Sequence, residues 1–320
     1  MDKTKFQKQQ KLAAQLNNYW GIRAVAQLKY LEEMLRCGLY SDESLSVEAT
    51  DWLYGRYMEN GAIGKEDVRQ FEEMLAPAQA AAKSIRVNCI GHAHIDMNWM
   101  WAFDETVMVA IETVRTMLQL MKEYPDFVFM QSQASVYKIV EEFAPELLPE
   151  IRERIRGGQW EVTASTWVET DKNMPNGESL TRHLLYTRQY LMKLLGLSES
   201  DFRIDFEPDT FGHTAQVPEI LASGGVKYYY HCRGYDGHSL YRWKGLAGSQ
   251  VTVFRESTWY NDTITPDTFL YVPEYGASNG LHTVCHVFGV GDHGGGATRR
   301  DIERIHDMAG WPCMPDLGFG

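Results

Sequence analysis

The sequence is short of cysteine, short of basic residues relative to acidic ones, and has no long apolar run. Its 320 residues include five cysteines, Cys37, Cys89, Cys232, Cys285 and Cys313, with no Cys-x-x-Cys pair. That spacing argues against a thiolate zinc clip and for reduced, buried thiols. Only 31 Lys and Arg stand against 43 Asp and Glu, a formal net charge of −12. A nucleic-acid polymer needs a basic surface and is not an expected partner. No stretch approaches the roughly 20 apolar residues of a membrane span, so no membrane partner is expected. The opening MDKTKFQKQQKL has no apolar signal-peptide core, and a cytoplasmic protein is expected. Histidine is absent before His92, and residues 1–83 hold a single proline, Pro77.

The length suits one large α/β domain or two smaller ones. Residues 1–83 read as a helical accessory region. Val25, Leu28, Leu31 and Leu35 repeat at helical spacing before Gly38, and further helices are expected over 46–57 and 65–75. From Ser84 short β-prone runs alternate with helices. Strands are expected at 85–90, 127–130, 160–163, 202–206, 226–231, 251–254 and 283–287. Helices are expected from Asp104, near 145–156, and over 178–195, 217–222 and 299–308. The order implies an α/β fold with a mostly parallel sheet, over a second unit of 84–320. Alternation alone leaves barrel and doubly wound sheet open.

Four segments carry the chemistry. Gly91-His92-Ala-His94-Ile-Asp96-Met-Asn-Trp99 follows the first strong strand. Alternate residues of an extended segment project to one side, and imidazole with carboxylate suits a divalent metal such as Zn²⁺. Trp167-Val-Glu169-Thr-Asp171-Lys-Asn173 leaves another strand with two carboxylates, as glycoside chemistry or a metal site requires. Asp205-Phe-Glu207-Pro208-Asp209-Thr-Phe211-Gly212-His213 crowds three acids and a histidine after a third. Gly289-Val-Gly-Asp292-His293-Gly-Gly-Gly296-Ala-Thr298 is a tight glycine loop, without the spacing of a nucleotide loop. Trp259-Tyr260-Asn261-Asp262 adds aromatic stacking surface and one more acid.

The ordered set GHAHIDMNW, WVETDKN, EPDTFGHTAQVPEIL and GDHGGGATRRDIER resembles glycoside hydrolase family 38, the retaining α-mannosidases, over about residues 85–310. The resemblance implies a seven-stranded (β/α) barrel, one Zn²⁺ per chain and hydrolysis of α-mannosides in mannose-containing oligosaccharides. It assigns His94 and Asp96 to zinc, and Asp171 both to zinc and to the role of nucleophile. Asp262 is the nearest match to the acid/base, with Glu256 second. Trp99, Asp209, His213, Trp259 and Tyr260 are the expected sugar contacts. The family's fourth zinc ligand is a His in a later segment. His306-Asp307-Met-Ala-Gly310 departs from that motif, and His293 is the stand-in candidate. The family's middle helical and C-terminal β-rich regions have no counterpart here, so either the chain is a fragment of an enzyme whose full-length form can be a homo-oligomer, or its zinc site is completed differently.

Two other functions fit the bare residues. A metal-dependent amidohydrolase or polysaccharide deacetylase would use the His and Asp set to hold a zinc hydroxide. A non-catalytic, zinc-dependent mannose-binding fragment would bind sugar without turning it over.

Overall fold

The computed structural model describes residues 3–235, 237–291 and 293–320. Five helices come first: α1 (Lys3–Gln15), α2 (Tyr19–Arg36), α3 (Glu43–Asn60), α4 (Lys65–Met74) and the short α5 (Gln79–Ala82). Then follow β1 (Arg86–His92), α6 (Phe103–Glu123), β2 (Phe129–Gln133), α7 (Ala134–Phe143), α8 (Leu148–Arg156) and β3 (Trp160–Thr166). Next come α9 (Gly177–Leu195), β4 (Ile204–Glu207), α10 (Val217–Ser223), β5 (Tyr228–His231), β6 (Leu240–Lys244) and β7 (Gln250–Arg255). The last elements are α11 (Val272–Asn279), β8 (Thr283–Phe288), α12 (Arg299–Ala309) and β9 (Asp316–Phe319).

The α/β class and the largely parallel pairing hold. The strands form a five-stranded sheet ordered β3-β2-β1-β8, with β9 on β1, and a four-stranded sheet ordered β4-β5-β7-β6. The β1–β2, β2–β3, β1–β9, β4–β5 and β5–β7 pairs are parallel, and β6–β7 is antiparallel. Beyond the hydrogen-bonded ladders, β3 meets β4 through side chains: Ser165 donates to Asp205 and Thr166 to Glu207.

The chain divides into two compact units. One comprises residues 1–89, 264–286 and 300–320; the other comprises 90–263 and 287–299. The first holds α1–α5. There Arg23 pairs with Glu72 at 2.7 Å, and the Gln27 side chain accepts from the Cys313 backbone N–H at 3.1 Å. The second contains every candidate site residue. One of its cores packs Leu184, Val217, Leu221, Val226, Tyr229, Val251 and Val253 together. Each such apolar side chain contributes about 1.5–3 kcal/mol by burial, which holds α9 and α10 against β5 and β7. No described helix is long and apolar enough to cross a membrane.

Candidate active site

Three strand ends build the site, as parallel α/β folds favour. Beyond β1 the chain stays extended, and His94 and Asp96 alternate on one side. His94 is 2% exposed. Its Nδ1 lies 3.4 Å from Glu169 Oε2 and its Nε2 lies 3.3 Å from Asp96 Oδ1. The Tyr260 ring meets it edge-on, with centroids 5.0 Å apart. Burial works against charge on His94, but Asp96, Glu169 and Asp209 outweigh it and raise its pKa.

The loop after β3 supplies Glu169 and Asp171. Asn176 ends this loop by capping α9, its side chain accepting from the Ser179 N–H at 2.9 Å, which satisfies one orphan donor of the helix. Glu169 Oε1 accepts from the Asp209 N–H at 2.6 Å and from Thr210 Oγ1 at 3.1 Å. Burial raises the Glu169 pKa, opposed by the His94 charge. Asp171 Oδ1 accepts from the Asn173 N–H at 2.9 Å, and Oδ2 has no protein hydrogen bond among the described residues. The loop after β4 brings Asp209, whose carboxylate accepts from Arg233 Nε. The Arg233 guanidinium lies over the rings of Phe211 and Trp259, 4.9 and 5.1 Å from their centroids.

A cavity of about 190 Å³ opens among these loops, and Asp96, Glu169, Asp171, Asp209 and Phe211 are in its wall. Gln133, at the end of β2, joins two of the loops: its Nε2 donates to the Ile95 carbonyl at 2.7 Å, and its Oε1 accepts from the Glu169 N–H at 3.2 Å. Gly212 closes one edge. A Cβ there would overlap Asn173 Nδ2 and lie 2.5 Å from Asp171 Oδ1, so only glycine fits without displacing them.

Behind the cavity sits a buried charge cluster. Lys172 Nζ lies 3.0 Å from Asp205 Oδ2 and 2.9 Å from Glu207 Oε1, with both carboxylates fully buried. Burial opposes the Lys172 charge, but the two carboxylates outweigh it and raise its pKa. Burial likewise raises Glu207. Sequence reasoning misses Lys172, Arg233 and Gln133. Each belongs to a residue type that is usually exposed, and only its place at a strand or loop end singles it out.

The remaining candidates are dispersed. His213 bonds Tyr229 Oη at 2.7 Å and the Arg233 carbonyl at 3.0 Å. Trp99 is exposed, with its ring against Trp101. His293 Nε2 lies 2.8 Å from Glu105, and its ring is 4.1 Å from that of Trp101. Asp292, in the same loop, lies outside the described residues. Glu256 is buried, and its carboxylate accepts from Tyr230 Oη at 2.8 Å and from the Ser257 N–H at 2.9 Å. The Asp262 carbonyl accepts from the Gly289 N–H. Neither Glu256 nor Asp262 is in the cavity wall.

His94 and Asp96 fit two positions around a zinc ion. Among the described residues the buried His94 Nε2 has no hydrogen-bond partner, and its 3.3 Å gap to Asp96 Oδ1 matches two donors about 2.0–2.2 Å from one ion. Among the described residues no three His, Cys, Asp or Glu side chains gather closely enough to hold a metal.

Carboxylates from the ends of β1, β3 and β4 around one cavity define an α/β protein with an acid-rich, hydrolase-like centre. The sequence model of the glycosyl hydrolases family 38 N-terminal domain matches residues 84–320, and the chain belongs to that family. It is 35% identical over 245 residues to "Alpha-mannosidase G" of Dictyostelium discoideum, covering 73% of this chain and 22% of that protein. It is 32% identical over 237 residues to "Alpha-mannosidase 2C1" of Homo sapiens, covering 72% and 22% respectively. The chain thus spans about a fifth of the length of these curated relatives. Among solved structures, an alpha-mannosidase from Enterococcus faecalis V583 superposes with a TM-score of 0.63 at 19% identity, over 74% of this chain and 28% of that one. At that identity the likeness concerns the fold.

Proposed function

We propose that this chain carries the catalytic site of a zinc-dependent, retaining α-mannosidase acting on mannose-containing oligosaccharides in the cytoplasm. The observation that carries the reading is the single cavity that collects Asp96, Glu169, Asp171 and Asp209, together with family membership. The side-chain link from β3 to β4 supports reading the two sheets as arcs of one seven-stranded barrel.

In this proposal His94 and Asp96 would hold the zinc as they stand, and Asp171 would have to draw in to become a third ligand, since no three such side chains gather among the described residues. When bound, the ion supplies a positive charge that polarises sugar hydroxyls. Asp171 is the nucleophile. Its Asn173 N–H bond fixes one oxygen and leaves the other for the anomeric carbon. A second carboxylic acid protonates the departing oxygen, and water then releases the sugar from Asp171 with net retention. Asp262 is the proposed acid, with Glu256 the second candidate. For Asp262→Asn, a rate loss confined to poor leaving groups assigns the role, and an equal loss for all leaving groups removes it.

The test joins metal analysis to hydrolysis of an aryl α-mannoside with and without EDTA. Bound zinc and EDTA-sensitive release of mannose support the reading. Release of acetate from an acetylated sugar in place of mannose would replace it with the deacetylase reading.

A further inference from the structure

His94 has a carboxylate at each of its two ring nitrogens. Asp96 Oδ1 lies 3.3 Å from Nε2, and Glu169 Oε2 lies 3.4 Å from Nδ1. The two ends are built differently. The Asp96 side chain is 30% exposed, lines the cavity, and has no partner among the described residues except His94. The Glu169 side chain is 13% exposed, and its second oxygen is already used twice. Oε1 takes the Asp209 N–H at 2.6 Å and the Thr210 hydroxyl at 3.1 Å, both from the loop after β4. The Glu169 backbone is held as well. Its N–H donates to Gln133 Oε1 at 3.2 Å, and the buried Gln133 donates in turn from Nε2 to the Ile95 carbonyl at 2.7 Å. Ile95 is the residue between His94 and Asp96. A closed circuit of contacts therefore runs from the His94 imidazole to the Glu169 carboxylate, through the Glu169 backbone to Gln133, and back to the segment that carries His94.

We propose that Glu169 is the positioning residue for His94: its carboxylate keeps the ring proton on Nδ1 and so presents the Nε2 lone pair, beside Asp96, as the nitrogen that binds the metal. The inference rests on the zinc-dependent reading and deepens it. A neutral imidazole has one N–H and one lone pair, and the hydrogen bond at one nitrogen decides which end is which. An ionised carboxylate only accepts, so a bare Nδ1 beside Glu169 would set two lone pairs against each other. With the proton on Nδ1, the bare nitrogen is Nε2, which is buried and without a hydrogen-bond partner among the described residues. A cation between Nε2 and Asp96 relieves the matching conflict at that end. The donors on Oε1 lock the Glu169 carboxylate, because turning it into the cavity would break its bonds to Asp209 and Thr210. Glu169 thus lies in the same wall as Asp171 but is neither the nucleophile nor a ligand.

The test joins zinc affinity, measured by competition with a chelator, to NMR of the histidine ring nitrogens. Glu169→Gln keeps the size and removes one acceptor. Its single oxygen can face His94 or the Asp209 and Thr210 donors, and its NH2 then clashes with the other side. The folded variant is expected to bind zinc about 10–100-fold more weakly than the unaltered chain. In the zinc-loaded unaltered chain, one-bond and long-range proton–nitrogen correlations are expected to find the His94 proton on Nδ1. This second measurement needs no variant, so it decides even where Glu169→Gln does not fold. A His94 proton on Nε2, or a folded Glu169→Gln whose zinc affinity stays within about twofold of the unaltered chain's, would overturn the inference while leaving the zinc-dependent reading in place. Failure of the unaltered chain to bind zinc would overturn that reading and the inference with it.

Discussion

Asp171 and Lys172 are neighbours in sequence and opposites in setting. Asp171 is partly exposed, fixed through one oxygen and open at the other, in the wall of the acidic cavity. Lys172 is buried, with Asp205 and Glu207 within 3.0 Å of its ammonium. Asp171 opens a turn closed by the Met174 N–H on its carbonyl, with Lys172 inside that turn, so one loop serves both. On one side carboxylates crowd together and keep unused bonding capacity. On the other, opposite charges face one another out of solvent. Open carboxylates mark the place where a ligand can bind; buried ion pairs mark the scaffold that holds it.

The largest effect tests the open side. Asp171→Asn is expected to lower aryl α-mannoside hydrolysis by at least about 10³-fold, with the thermal midpoint nearly unchanged. A similar loss of rate and of stability would place Asp171 on the scaffold side. Lys172→Met tests the other side. It leaves two carboxylates buried without their cation, and breaking a buried pair costs about 3–5 kcal/mol. Urea unfolding should register that loss. Unchanged stability would mean that the cluster admits water.

Glu256→Gln separates the two acid candidates. Because the carboxylate accepts from Tyr230 and Ser257, the substitution is expected to cost about 1–3 kcal/mol of stability. Its effect on rate should be smaller than that of Asp171→Asn, and a larger rate effect would move Glu256 into the chemistry. The smallest effect concerns His231. Burial, helped by the nearby His213, depresses its pKa to about 4, below the usual 6.5. The unfolded chain therefore takes up a proton first as pH falls. This histidine's contribution is full above about pH 6.5 and is lost progressively toward pH 4. NMR titration should find its imidazole neutral at pH 5; a proton on the ring there would refute the assignment.

Much of the fold and of the acidic cavity is legible in the sequence, for a physical reason. Strands β1, β3 and β4 are short and buried, their pattern is plain, and polar residues that follow such strands fall at the C-terminal ends of parallel sheets. Side-chain links between β3 and β4 then set Asp209, from the second sheet, beside Asp96 and Asp171. Other parts carry no such pattern. Helix α7 begins at Ala134 directly after β2, with Gln133 as its N-cap position and no side-chain cap bond, so no stop or start signal marks it. Strand β6 is half exposed and antiparallel; its Tyr241 and Trp243 alternate onto the core while Arg242 and Lys244 face outward, a pattern only five residues long. His293 precedes three glycines, Gly294, Gly295 and Gly296, with φ of 83°, 104° and 68°. Positive φ is open to glycine and strained for other residues, so the sequence can announce a tight loop but not the direction of the ring. Lys172 reads as an ordinary surface lysine, because its partners lie on another strand, more than 30 residues away.

Gly212 turns these distances into a statement about inheritance. Adding a single carbon would push aside Asp171 or Asn173 while every ionisable group of the molecule stayed in the chain. A survey of variants ranked by charge or polarity would pass such a change as harmless, although it strikes at the side chains of Asp171 and Asn173. Silence at this locus can therefore arise from a methyl group, with the whole apparent catalytic inventory preserved.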